Sequence, residues 1–146
     1  MDRCAMAYQY HQEGCNCAQS VALAFQDLTG LSREQTMAVA GGFGGGVGGS
    51  RAELCGAVSG AVMVLGLLNP GTGAEGKKRI SALSREFRRR FEEDFGKTRC
   101  GELLAARPGI SEKTRAAGRL GITGHCDIMI VTAVEILEQM LSEQPE

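Results

Sequence analysis

Cys17, Cys55, Cys100 and Cys126 are the residues of this chain best placed to do chemistry, because they fall at the starts or junctions of elements, not in the middle of apolar faces. A thiol in the first turn of a helix lies beside unpaired backbone N–H groups and the positive end of the helix dipole. Both favour the thiolate, the form that binds a metal or attacks a disulfide. Cys55 opens the small-residue run Cys55-Gly56-Ala57-Val58-Ser59-Gly60, after a glycine-rich stretch. Cys17 falls in the first turn of a helix that Asn16 would cap. Cys100 follows Gly96-Lys97-Thr98-Arg99, whose two cations would further favour its thiolate, and Cys126 starts the last helix after Gly124-His125. The expectation is that these sulfurs, distant along the chain, meet in one pocket.

Two kinds of chemistry suit such a pocket. Four thiolates can hold an iron–sulfur cluster or another metal in a dry cavity that offers hydrogen bonds to sulfur. Alternatively, two of the cysteines cycle between dithiol and disulfide with no cofactor at all. The separations match no ferredoxin or zinc-finger spacing, and the chain has no C-x-x-C pair. A structural metal in a helical interaction module, or inert buried thiols, would keep the fold and remove the redox role. Gly56 and Gly60, four apart and flanked by Ala57 and Ala61, leave one helix face without bulk, open to a cofactor or to another backbone across a helix pair or a homodimer. With the loop residues Gly44, Gly45 and Gly46, they are the candidate cofactor-binding positions beside the cysteines.

The remaining signals are weaker. Gly44, Gly46 and Gly49 match a dinucleotide fingerprint, but that motif works between a strand and a helix, and no strand precedes it here. Arg88, Arg89 and Arg90 each have an acid four residues on, at Glu92, Glu93 and Asp94, which describes a solvated face or a docking surface for an acidic redox partner. His125 adjoins Cys126 and could tune or ligate. His11 shares a helical face with Cys4 and Tyr8 and has no second ligand nearby. No Ser-His-Asp set or catalytic carboxylate pair is visible. A net charge of −1, no Trp, five Phe and two Tyr argue against nucleic acid as a partner.

The elements that must position the cysteines are helical. The 146 residues suit a single domain, 1–146, with an all-α, compact bundle of five or six helices as its fold. Helices are expected over 2–12, from Asn16 towards Gly30, from the capping box Ser32-Arg33-Glu34-Gln35 to Ala40, over 53–68, over 77–95 and from about Cys126 to Leu141. Residues 69–76 read as a turn, Cys100 to Ala106 as a short helical piece, and 107–124 as loop with partial helix. The longest apolar run, 55–68, is shorter than the roughly 20 residues of a bilayer span and reads as a buried core helix. Without a visible secretory signal the protein is expected to be soluble and cytoplasmic, with reduced thiols.

Taken in order, Asn16-Cys17-Ala18-Gln19-Ser20, Phe43-Gly44-Gly45-Gly46-Val47-Gly48, Cys55-Gly56-Ala57-Val58-Ser59-Gly60, Cys100 and Cys126 resemble the redox-active family named C_GCAxxG_C_C. The resemblance spans the chain from about Cys17 to Leu141. It implies a redox role with a prosthetic group such as an iron–sulfur cluster, as in the similar domain associated with split-Soret cytochromes. It also implies that the family's four cysteines are Cys17, Cys55, Cys100 and Cys126, leaving Cys4 and Cys15 outside the set.

Overall fold

The computed structural model describes residues 1–106 and 114–144. Among them are nine helices: α1 (Arg3–Gln12), α2 (Cys17–Leu23), α3 (Gln26–Thr29), α4 (Arg33–Ala40), α5 (Gly56–Leu68), α6 (Gly73–Phe95), α7 (Cys100–Ala105), α8 (Arg115–Leu120) and α9 (His125–Glu143). The described residues contain no strand, only an isolated antiparallel bridge between Leu54 and Arg99. The all-α expectation therefore holds, while five or six helices is an undercount with identifiable causes.

The helix expected from Asn16 to Gly30 is two. It breaks after α2 so that Phe25, wholly buried, turns into the core, and the four-residue α3 then ends on left-handed Gly30. The helix over 53–68 begins only at Gly56, because Leu54 is held in the bridge to Arg99. α6 starts at Gly73, inside the expected turn. There a side chain on Gly76 would stand 2.3 Å from the Gly71 carbonyl carbon, so glycines that read as loop instead let the first helical turn fold back on its own approach. α8 is the partial helix of the 107–124 stretch, capped by Thr114, whose hydroxyl accepts from Ala117 N–H and from the Thr132 hydroxyl. The part of that reading at 107–113 lies outside the described residues.

Where signals were local, the structure follows them. Asn16 and Ser32 both make reciprocal capping boxes, with Gln19 and Gln35. On α6 the inward phenylalanines pack ring to ring, Phe87 and Phe91 stacked with centroids 6.2 Å apart and Phe91 and Phe95 tilted at 4.7 Å. The charged face differs in one pair. Arg90 reaches back to Glu86 at 2.7 Å and across to Glu143 on α9 at 2.6 Å, not forward to Asp94.

α5 and α9 form the centre. α5 is apolar along its whole length, and α9 buries residues on nearly every side, from Ile128 to Met140. Helices of that kind belong inside a structure. α2 packs on α5, α1 on α9, and α6 on both. No described helix is long and apolar enough to cross a membrane.

Candidate four-cysteine site

The glycines of α5 bring the first two thiols together. A Cβ on Gly60 would lie 2.7 Å from the Ala18 carbonyl oxygen and 3.0 Å from its Cα, so the bulk-free face admits the α2 backbone itself. One turn earlier, a Cβ on Gly56 would lie 3.0 Å from the Cys17 Cβ. α2 and α5 thus start side by side, with Cys17 and Cys55 at the same end. The bridge adds the third thiol. Cys55 N–H donates to the Thr98 carbonyl (2.8 Å), Cys100 N–H to the Glu53 carbonyl (3.0 Å) and Gly101 N–H to the Arg51 carbonyl (2.8 Å). These three bonds clip the approach to Cys55 against the approach to Cys100.

The glycine-rich loop folds over this clip. Gly45, Gly46, Val47, Gly48 and Gly49 all take left-handed backbone angles, with φ between 62° and 73°. The turn is closed by bonds from Gly48 N–H to the Gly42 carbonyl (2.8 Å), Gly49 N–H to Gly44 (3.0 Å) and Arg51 N–H to Gly45 (2.8 Å). Val47, a β-branched residue at φ 66°, carries strain of about 1–2 kcal/mol within it. Gly46 is needed for space as well as for its angle, since a Cβ there would lie 2.8 Å from the Cys100 Cβ. Asn16 anchors the loop from below, its side-chain amide donating to the Ala40 and Gly41 carbonyls while Gly44 packs on its Cβ.

Cys126 arrives from the first turn of α9, and Cys17, Cys55, Cys100 and Cys126 line one cavity of about 40 Å³. Gly45 and Gly56 contribute backbone to its wall, Leu103, Leu104 and Met129 its apolar surface, and the buried His125 adjoins Cys126. Leu103 and Met129 follow their cysteines by three residues, the helical spacing that would have marked them as wall residues. Of the five candidate glycines, Gly45 and Gly56 reach the cavity, Gly46 backs Cys100, and Gly44 and Gly60 pack against Asn16 and Ala18. Cys4 lies elsewhere, its thiol donating to the Val131 carbonyl at 3.5 Å, and Cys15 rests 3.8 Å from the Met37 sulfur.

The electrostatics of these thiols reverse the expectation of ready thiolates. The hydrogen bond between Cys17 and Cys126, then burial, then the charges that Cys126, Cys55 and Cys100 would carry, push the Cys17 thiol far up. Burial raises Cys55 to about 11, against the lowering effect of backbone N–H groups from Ala57 and Val58. At Cys100 burial and Cys126 raise the value and Arg51 opposes them. The helix-start effect is present at Cys55, but desolvation and crowding outweigh it. Cys4, Cys15, Cys17, Cys55 and Cys100 are thiols outside any disulfide.

The family model described as "Putative redox-active protein (C_GCAxxG_C_C)" matches residues 15–140. The chain belongs to this family. The matched region contains all four cavity cysteines, and the C_GCAxxG_C_C name itself records four cysteines in that order. The name spells Gly before Cys, whereas this chain reads Cys55-Gly56-Ala57. Neither a curated protein nor a solved structure matches the chain.

The donor set fits a thiophilic metal in kind, four soft sulfurs around an enclosed wall. In geometry it is less finished. Among the described residues no group of three or more His, Cys, Asp or Glu is drawn up in ligating positions. A cavity of about 40 Å³ has room for one ion or a few waters, since a single water takes roughly 10–15 Å³ on this measure. A polynuclear cluster would require the sulfurs to spread.

Proposed function

We propose that the four-cysteine cavity is a redox-active metal site, holding an iron–sulfur cluster or a single thiophilic metal ion for electron transfer to a redox protein partner. One observation carries this reading: thiols from four separate elements converge on one small apolar cavity. Disulfide cycling needs two thiols and an open approach for a partner. A metal site needs several soft donors and a wall that excludes water, which Leu103, Leu104 and Met129 provide. Crowded thiols resist ionising together, and a bound cation turns that repulsion into attraction while the displaced protons leave to solvent. Bound iron would supply one-electron chemistry. Cys17, Cys55, Cys100 and Cys126 would hold it, and Gly45 and Gly56 would let the backbone approach the sulfurs.

Anaerobic purification followed by iron, acid-labile sulfide and zinc determination tests this. The expected result is stoichiometric iron with visible absorbance that bleaches on reduction. Serine at any of the four cavity positions should lose it, and Cys4→Ser and Cys15→Ser should keep it. Stoichiometric zinc with no redox response would replace electron transfer by a structural role. A metal-free protein would favour a second reading, which the Cys17–Cys126 hydrogen bond supports. In that case the two thiols lose two protons and two electrons to a partner disulfide through a mixed disulfide, and the partner leaves as a dithiol. The raised Cys17 thiol is a slow attacking group, which places this reading second.

A further inference from the structure

We propose that His11 and Asp127 form a latch that positions Cys126 in the cavity, a role resting on the four-cysteine reading above. Asp127 is the residue directly after Cys126, in the first turn of α9. That turn begins at Gly124 with no side-chain cap, and its first helical bond runs from Ile128 N–H to the Gly124 carbonyl at 2.9 Å. The Asp127 carboxylate folds back over this bare end. One oxygen accepts from His11 Nδ1 at 2.6 Å and from the Gln12 side-chain amide at 3.2 Å. The other oxygen occupies the place beside Gly124 where a side chain would be, 2.5 Å from an added Cβ.

The last turn of α1 therefore grips the first turn of α9 through one carboxylate, and that first turn carries Cys126 and His125 into the cavity wall. Both partners are largely shielded, with side-chain exposures of 26% and 15%, so the pair is not a loose surface contact. Groups one shell behind a metal ligand fix its direction, and their loss weakens binding by about 10–100-fold. Asp127 and His11 stand in that relation to Cys126. They touch no reacting atom, which makes them positioning residues.

The test uses the reduced, metal-free protein and measures iodoacetamide alkylation of each cysteine by peptide mass spectrometry. In Asp127→Ala, Cys126 should react several times faster than in the native chain while Cys4 and Cys55 keep their rates. Asp127→Asn retains an oxygen for His11 and Gln12 and should restore the native rate. Gly124→Ala leaves both latch residues in place but displaces the carboxylate, and should speed Cys126 while Cys4 and Cys55 keep their rates. This second variant decides the matter if Asp127→Ala fails to fold. Titration with Co²⁺ should show about tenfold weaker binding in Asp127→Ala. Native Cys126 rates in both Asp127→Ala and Gly124→Ala would overturn the latch, as would equal acceleration at Cys4, Cys55 and Cys126. If native protein binds no Co²⁺, the metal reading fails, but the alkylation ratios still decide the latch.

Discussion

At Gly60 an added methyl group would meet three backbone atoms of Ala18 within 3.2 Å, none of which can swing aside. Gly60→Ala is therefore expected to destabilise the protein by about 1–3 kcal/mol, the range for overpacking a rigid contact. It should also push α2 from α5, separating Cys17 from Cys55 and lowering metal retention. Gly66 on the same helix is the control, because nothing lies within 4 Å of its added Cβ. There alanine should stabilise by about 0.5–1 kcal/mol through helix propensity alone. Urea denaturation of the two variants distinguishes steric from intrinsic effects. At this scale the sequence revealed that α5 has a face without bulk, because spacing and residue type are local facts. It could not reveal that the face receives a backbone at Gly60 and borders a cavity at Gly56, since that depends on α2.

Among the elements, α2 depends on one side chain. Asn16 accepts from Gln19 N–H at 2.8 Å, its own N–H is capped by the Gln19 side chain at 2.9 Å, and its amide donates to two carbonyls at the start of the glycine loop. Asn16→Ala removes the cap and both loop bonds, and should cost about 2 kcal/mol or somewhat more, beyond a cap alone. Asn16→Asp keeps the cap but has no N–H to give Ala40 and Gly41, so it should fall between alanine and the native residue in urea unfolding. The Asn16 cap and the Ser32 capping box were legible because each is a pattern within one turn, while the reciprocal bond from Gln19 to Asn16 emerged only in the structure. The break before Phe25, the bridge from Leu54 to Arg99 and the early start of α6 were not legible. Each follows from burial or a contact with a distant segment, and a bridge is too short to show alternation. The bridge is the costliest omission, since it joins Cys55 to Cys100.

For the whole molecule, the raised thiols make stability depend on pH in a direction that metal would reverse. Burial pushes Cys4 up to about 12 and Cys55 to about 11, from an ordinary value of 9.0. Above about pH 9 the unfolded thiols have released their protons while the folded ones keep theirs. The unfolded chain then binds fewer protons, so stability of the metal-free protein falls as pH rises through that window. Cys17 and Cys100, also raised, act in the same sense. Urea midpoints measured from neutral pH to about pH 10 should decline, and the decline should shrink in Cys4→Ala, which lies outside the cavity. With metal bound, the cavity sulfurs are already thiolates, and their alkaline penalty disappears. The loaded protein should lose its metal as pH falls and protons compete for sulfur, and keep only the Cys4 part of the alkaline decline. Equal pH profiles for the loaded and metal-free forms would mean that the metal does not bind through these thiols, even if it binds tightly.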